Sequence, residues 1–218
     1  MADFEVRSTE RVFDGVVAKV RIDEIEMPGG EFAKREVVEH DRAVAVVALD
    51  EDGLVVLVEQ YRHPLGRRLW ELPAGLMDVP GEPPLPAAQR ELAEEAGLAA
   101  ARWEILVDIA VSPGFTTESV RTFLARGLSD IGRQGEIRHE EADLRIVRVP
   151  LAQAIDAVLD GRIVNASAVA GILAAGRVLD CEGSQRAGRS LRPGNDEWTG
   201  GPALEAADRP DLTPDGYW

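Results

Sequence analysis

The sequence predicts an α/β sandwich, a mixed sheet held between helices, with a β extension at its N-terminal end. Three observations predict it. Alternating or continuous apolar runs bounded by turn residues mark strands through most of the first half. Helical stretches at Leu151–Leu159 and Ala166–Leu179 flank those strands from the second half. Between the two regions lies one helix whose first turn Pro83, Pro84 and Pro86 place near Leu85–Ala87, which stops at Gly97 and carries a crowd of carboxylates.

In order, Val16–Met27 alternates as a strand, Pro28-Gly29-Gly30 turns the chain, and Phe32–Glu39 returns. Residues 1–40 therefore read as a small β extension able to pair with a partner subunit. Ala43–Leu49 is a buried apolar run, Asp50–Gly53 a hairpin turn, Leu54–Gln60 its return strand, and Leu69–Ala74 a further strand. After the acidic helix, Trp103–Val111 and Ser119–Leu128 read as strands joined by the loop Ser112–Glu118. Asp130–Asp143 has no apolar period and reads as a mobile loop, and Leu144–Val149 as a strand before the last two helices. The central domain spans 41–181. From 182 to 218 the composition shifts to Gly, Pro, Asp and Arg, which predicts a flexible tail, the alternative being that Trp198, Tyr217 and Trp218 dock it onto the body.

The 218 residues hold 45% hydrophobic residues and a formal net charge of −15. That charge argues against sequence-independent binding of nucleic acid or an anionic membrane, both of which reward clustered Lys and Arg. No apolar run is long enough to span a bilayer. The lone Cys181 forms no intrachain disulfide and suits a reducing cytoplasm. His40, His63 and His139 lack zinc-ligand spacing, and no phosphate-binding glycine loop ending in Lys-Ser/Thr is present.

The chemistry is concentrated in the acidic helix. Glu91, Glu94 and Glu95 fall within roughly a third of its circumference, while Leu85, Ala88, Leu92 and Ala96 form an apolar stripe turned away from them. Like charges at i,i+4 cost a bare helix about 0.2–0.5 kcal/mol per pair. A hard divalent cation binding carboxylate oxygens would offset that cost. Glu91 and Glu95 make the best pair, with Glu94 as a third ligand or a holder of bound water. Arg90, at i,i+4 to Glu94, is placed to orient it.

The stretch Gly75–Leu98, GLMDVPGEPPLPAAQRELAEEAGL, resembles the Nudix box, G-x5-E-x7-R-E-U-x-E-E-x-G-U with U a bulky aliphatic residue. Gly75, Glu82, Arg90, Glu91, Leu92, Glu94, Glu95, Gly97 and Leu98 fill its defined positions, although six residues rather than five separate Gly75 from Glu82. The extra residue falls in the Asp78–Gly81 loop, where insertion is cheapest. Glu59-Gln60-Tyr61-Arg62, Trp70–Gly75 and Ser112-Pro113-Gly114 are further similar to the ADP-ribose pyrophosphatase branch of that superfamily, with Pro113 at its marker position sixteen residues beyond Gly97.

That resemblance implies a Nudix-fold α/β/α sandwich and hydrolysis of ADP-ribose to AMP and ribose 5-phosphate. It implies Mg2+, or Mn2+, held by Glu91, Glu94, Glu95 and the carbonyl of Ala74. It also implies a catalytic base from an acidic loop of the form E-x-x-D, matched by Glu140 to Asp143, with Glu141 as the competing base. The substrate-binding set it implies is Arg35, Arg62, Gly114 and Glu118, the last meeting the terminal ribose. The branch often stacks adenine on an aromatic from a swapped N-terminal strand, where this chain has Val16 and Val17. The rival substrate is another nucleoside diphosphate sugar or a dinucleotide. A non-catalytic ADP-ribose-binding regulator is disfavoured by the complete set of box glutamates and the absence of a basic recognition helix.

Overall fold

The computed structural model describes residues 4–135, 143–183, 191–196 and 198. Its centre is strand β4, Ala43–Leu49, in which every residue is buried. Successive side chains of a strand point to opposite faces, and those of β4 feed two cores. Val44, Val46 and Ala48 pack with Ala87, Ala88 and Leu92 of helix α1, Pro84–Ala96. Ala43, Ala45, Val47 and Leu49 pack with Ala154, Ala168, Ile172 and Ala175 on the other face. Those residues come from helices α2, Leu151–Leu159, and α3, Ala166–Gly183. Burial on both faces explains why this segment is continuously apolar rather than alternating. Each buried Val or Leu contributes about 1.5–3 kcal/mol of transfer free energy.

The sheet around β4 includes β5, Leu54–Arg62; β6, Arg67–Glu71; β7, Ala74–Leu76; β8, Leu98–Ala110; β9, Ser119–Asp130; β10, Arg145–Pro150; and β11, Arg192–Pro193. Its order is β10-β5-β4-β9-β8-β11, with β6 on β5 and β7 on β4. The β4–β9 pairing is parallel and the others are antiparallel, so the sheet is mixed. The expected α/β/α sandwich is present. Gly97 takes φ 68°, a conformation that glycine adopts without steric cost. It ends α1 by donating its N–H to the carbonyl of Ala93 at 3.1 Å.

The N-terminal extension has three strands, one more than the sequence led us to expect: β1, Val6–Asp14, precedes β2, Ala18–Glu26, and β3, Phe32–His40. Every residue of β1 is exposed, so it has no strong apolar alternation by which to be recognised. Arg21 pairs with Asp23 and Glu39 on one side of this sheet, and Arg11 reaches Glu39 at 2.9 Å. Val6, Val12, Phe13, Val16, Val17 and Phe32 remain exposed. Among the described residues, no helix is long and apolar enough to cross a membrane.

The expectation of a flexible tail from 182 onward is corrected where the tail is described. Helix α3 runs on to Gly183, and β11 pairs with β8 through Arg192↔Ile105 and Pro193↔Glu104. Trp198 is buried beside two guanidinium groups, those of Arg121 at 5.0 Å and Arg42 at 5.2 Å from the ring centroid. Arg121, itself fully buried, donates Nε and Nη2 to Asp108 at 2.8 and 3.0 Å and Nη1 to the carbonyl of Asp196 at 2.8 Å. Arg192 adds a second cation to Asp108 at 2.8 Å. A tail poor in apolar residues is therefore held by cation–π contact and charge-assisted hydrogen bonds.

Burial alone would raise the Asp108 carboxyl, but hydrogen bonds and charge from Arg121 and Arg192 outweigh it and hold the group below its ordinary range. A lowered carboxylate pKa stabilises the fold above the unfolded value of about 3.9 and loses that contribution as pH falls through the folded value. Acid unfolding of Asp108→Asn is thus expected to show a shallower decline below pH ~4 than the parent chain, on a lower plateau at neutral pH. Trp198→Ala is expected to cost about 3 kcal/mol, as buried aromatic truncations do, read as a shifted urea midpoint at unchanged slope. A change below about 0.5 kcal/mol would return this segment to a free tail.

Candidate active site

The chain leaves β4 and β7 directly beneath α1, and a cleft of about 760 Å³ opens there. Glu91, Glu94 and Glu95 line it with Arg90, Asp78, Ala74 and Gly75. The acidic face of the helix is not solvated: Glu91 and Glu95 are buried at 8% and 5% exposure. The expected apolar stripe is present, with Leu85, Ala88, Leu92 and Ala96 all packed into one core. Ala88 and Leu92 point to the core, and two of the three glutamates point inward beside them.

Arg90 makes that burial tolerable. Its Nη1 donates to Glu91 at 2.6 Å and to Glu94 at 3.2 Å, while Nε and Nη2 donate to Glu82 at 3.3 and 3.0 Å. Glu82 keeps this contact despite the extra box residue, which is absorbed in an exposed turn where Glu82 N–H donates to the carbonyl of Val79 at 3.1 Å. Glu95 Oε2 accepts the N–H of Ala74 at 2.9 Å. Gly75 is sterically required, because a Cβ there would lie 2.1–2.5 Å from the Glu91 carboxylate.

Burial pushes the Glu91 carboxyl up to about 7; Arg90 pulls it down, and Glu94 and Asp78 add to the rise. A divalent cation binding its oxygens would displace that proton and favour the ionised form. The donor set is all oxygen and fits a hard divalent ion. Among the described residues, no three acidic, histidine or cysteine side chains converge as a ready-made metal cluster. Glu91 and Glu95 are instead engaged by Arg90 and Ala74.

Arg62, at the end of β5, lines the opposite wall and donates Nε and Nη2 to Glu71 at 2.8 and 2.6 Å. Glu71 is almost fully buried on β6, and it fixes the guanidinium plane at the cleft. Sequence reasoning gave Glu71 no role. The pairing arises from the β5–β6 hairpin, with Arg62↔Arg67 and Val58↔Glu71 in register, and leaves no short-range spacing to read. Gln60, His40, Asn165 and Ser167 also line the cleft and were not singled out for it.

Glu118 lies in the cleft wall. Gly114 is exposed in the loop before it, is not among the cleft-lining residues, and has open space where a Cβ would stand. Arg35 is exposed on β3, donates to the carbonyl of Lys34 at 2.9 Å and to Met27 Sδ at 3.6 Å, and does not line this chain's cleft. Glu140 and Glu141 lie outside the described residues. The segments flanking them are anchored: Gln134 N–H donates to the carbonyl of Ala93 at 3.1 Å, Arg133 Nε to that of Glu94 at 3.0 Å, and Arg68 pairs with Asp143.

The family model described as NUDIX domain matches residues 39–169. The chain belongs to the NUDIX domain family. Of its relatives, the protein named ADP-ribose pyrophosphatase of Mycobacterium tuberculosis (strain ATCC 25618 / H37Rv) is 49% identical, over 95% of this chain and 97% of that protein. The methanol dehydrogenase activator of Bacillus methanolicus is 37% identical, over 74% of this chain and 86% of that protein. A solved structure titled as that of an ADP compounds hydrolase shares the fold with TM-score 0.74 at 24% identity, covering 84% of this chain and 97% of the other.

The close approach of Glu91 to Gly75 gives a direct test. Gly75→Ala is expected to displace the Glu91 carboxylate and reduce metal-dependent turnover by about 10²-fold, the scale of an ångström-level misplacement, with an unchanged circular dichroism spectrum. Full activity in that variant would show that Glu91 need not stand where the structure puts it.

Proposed function

We propose that this chain hydrolyses the pyrophosphate bond of ADP-ribose, giving AMP and ribose 5-phosphate, with Mg2+ or Mn2+ as cofactor. The observation that carries the reading is near-full-length similarity, at 49% identity, to a protein named ADP-ribose pyrophosphatase. The complete set of box carboxylates on the cleft wall agrees with it.

Glu91, Glu94 and Glu95, with the carbonyl of Ala74, are the groups we assign to the metal. Bound there, the ion would neutralise charge on the diphosphate and acidify an attacking water. Arg90 holds Glu91 and Glu94 toward one point, and Glu94 also positions water. Arg62, its plane fixed by Glu71, clamps a phosphate through its guanidinium edge. Glu118 accepts hydrogen bonds from the terminal ribose. Glu140 takes the proton of the water whose oxygen bonds to phosphorus as the bridging P–O bond breaks. Gly114 serves through the loop that carries Glu118.

We further propose a homodimer formed through the exposed apolar residues of the N-terminal sheet, working in the cytoplasm on a small nucleoside diphosphate sugar. Arg35 would then reach a cleft across the dimer rather than its own. Mixing Arg35→Ala and Glu95→Gln chains should restore about a quarter of wild-type turnover, the statistical share of intact composite sites in a two-fold dimer. Activity that stays at the level of the separate variants would leave Arg35 without a binding role.

The decisive measurement compares kcat/KM for ADP-ribose, ADP-glucose, GDP-mannose and diadenosine compounds with Mg2+. ADP-ribose is expected to lead, with AMP released. Glu95→Gln should abolish most metal-dependent turnover, and Glu140→Gln should slow the chemical step by about 10²–10⁴-fold, the usual contribution of a positioned base, without weakening metal binding. No turnover of any of these compounds under any divalent ion would end the enzyme reading.

A further inference from the structure

The Ser112–Glu118 loop is fastened to the N-terminal sheet beside the cleft, and the fastening ends on one hydroxyl. Strand β3 pairs with β2 along one edge. Along its other edge, Val38 N–H donates to the carbonyl of Phe115 at 2.7 Å and Thr117 N–H donates to the carbonyl of Val38 at 3.0 Å. Val38 and Thr116 form a parallel bridge there. Thr117 Oγ1 extends the connection to the last residue of β3, accepting the N–H of His40 at 3.0 Å and donating to its carbonyl at 3.3 Å. A hydroxyl has one proton to give and lone pairs to receive with, so both bonds can be made at once. Thr116 Oγ1 accepts the N–H of Glu118 at 3.1 Å, and Val111 N–H donates to the carbonyl of Glu118 at 3.2 Å.

His40 and Glu118, one on each side of this seam, both line the cleft. Val17 of the same N-terminal region lines it too. The extension is therefore part of the wall of its own chain's cleft. Irregular backbone left to itself samples many conformations, at a cost of about 1–2 kcal/mol per residue to fix. The seam supplies that restraint from outside the loop.

We propose that Thr117 is a positioning residue for substrate recognition: its hydroxyl locks the Ser112–Glu118 loop to β3 and so sets where the Glu118 carboxylate stands in the cleft. This rests on the reading that Glu118 meets the sugar end of a nucleoside diphosphate sugar. The carboxylates of α1 lie on a separate element, so loosening the seam affects binding and spares the chemical step.

The test is a double-mutant cycle of Thr117→Val, which keeps shape and loses the hydroxyl, with Glu118→Gln, read as KM and kcat for ADP-ribose. Thr117→Val is expected to raise KM about 5–10-fold, the scale of one or two net hydrogen bonds, with kcat within about twofold. Thr117→Ser, which keeps the hydroxyl, should restore KM. In the Glu118→Gln background, Thr117→Val should add little, because its effect passes through Glu118. Unchanged KM in Thr117→Val, strict additivity in the cycle, or kcat falling as far as KM rises would each overturn the proposal. If Thr117→Val does not fold, Thr117→Ala carries the same expectations and the same overturning results. If the wild-type chain turns over a different nucleotide sugar, the ADP-ribose reading fails, and the same cycle run on that sugar still decides the role of Thr117.

Discussion

The Arg90 guanidinium binds Glu82, Glu91 and Glu94 at once, and the arrangement of the cleft depends on that contact. Without a cation among them, carboxylates on one helical face repel, and a buried one such as Glu91 is costly to ionise. The attraction works both ways: the hydrogen bonds that Arg90 donates to Glu82 and Glu91, and the charges of those carboxylates, raise the Arg90 pKa against its own desolvation and keep it charged. Glu82 belongs to the loop before α1, so the same guanidinium ties that loop to the helix. This is why a residue added between Gly75 and Glu82 can be tolerated. The turn changes length while both ends of the ion-pair cluster stay put.

Beneath this cluster the constraint passes to the backbone. Val44 pairs with Gly75, and Ala45 with Ala74, across β4 and β7. A strand buried at every residue thus fixes the two residues that face Glu91 and Glu95. The opposite wall is fixed by a second ionic contact, Arg62 on Glu71, built on the β5–β6 hairpin. Breaking either pair leaves a carboxylate in low dielectric without its partner, a loss of about 3–5 kcal/mol for fully buried pairs and less for Arg62, which is partly exposed. Both walls stand on the same sheet.

Legibility in the sequence followed the range of the contacts. Helix α1, its glycine stop and its three carboxylates were readable because their geometry is set by i,i+3 and i,i+4 spacing within thirteen residues. Strand β4 and helix α2 were readable to the residue because continuous apolar burial and Pro150 mark their limits. The burial of Glu91 and Glu95 was not readable, since it depends on where β7 lies. Glu71 was hidden for the same reason, as its partner is nine residues away across a hairpin. Strand β1 escaped notice because all its residues are exposed, and the docked segment near Trp198 because arginines distant in sequence provide its binding surface.

Those differences in range separate the chemistry from the choice of substrate. The groups we assign to the metal lie on one helix and one adjoining strand, and their relative positions survive as long as those two elements pack. The other cleft-lining groups, among them the two we assign to phosphate and sugar, come from β5, the Ser112–Glu118 loop, the last residue of β3 and the start of α3. Asn165 caps that helix by accepting the N–H of Ala168 at 3.0 Å, so its place in the cleft is set by α3 packing on the sheet. A small shift in any of these elements moves one recognition group relative to the others and leaves the carboxylates of α1 where they were. Divergence in substrate is therefore open to substitutions throughout the sheet and its extension, whereas the groups we assign to the metal are confined to the few positions around Arg90.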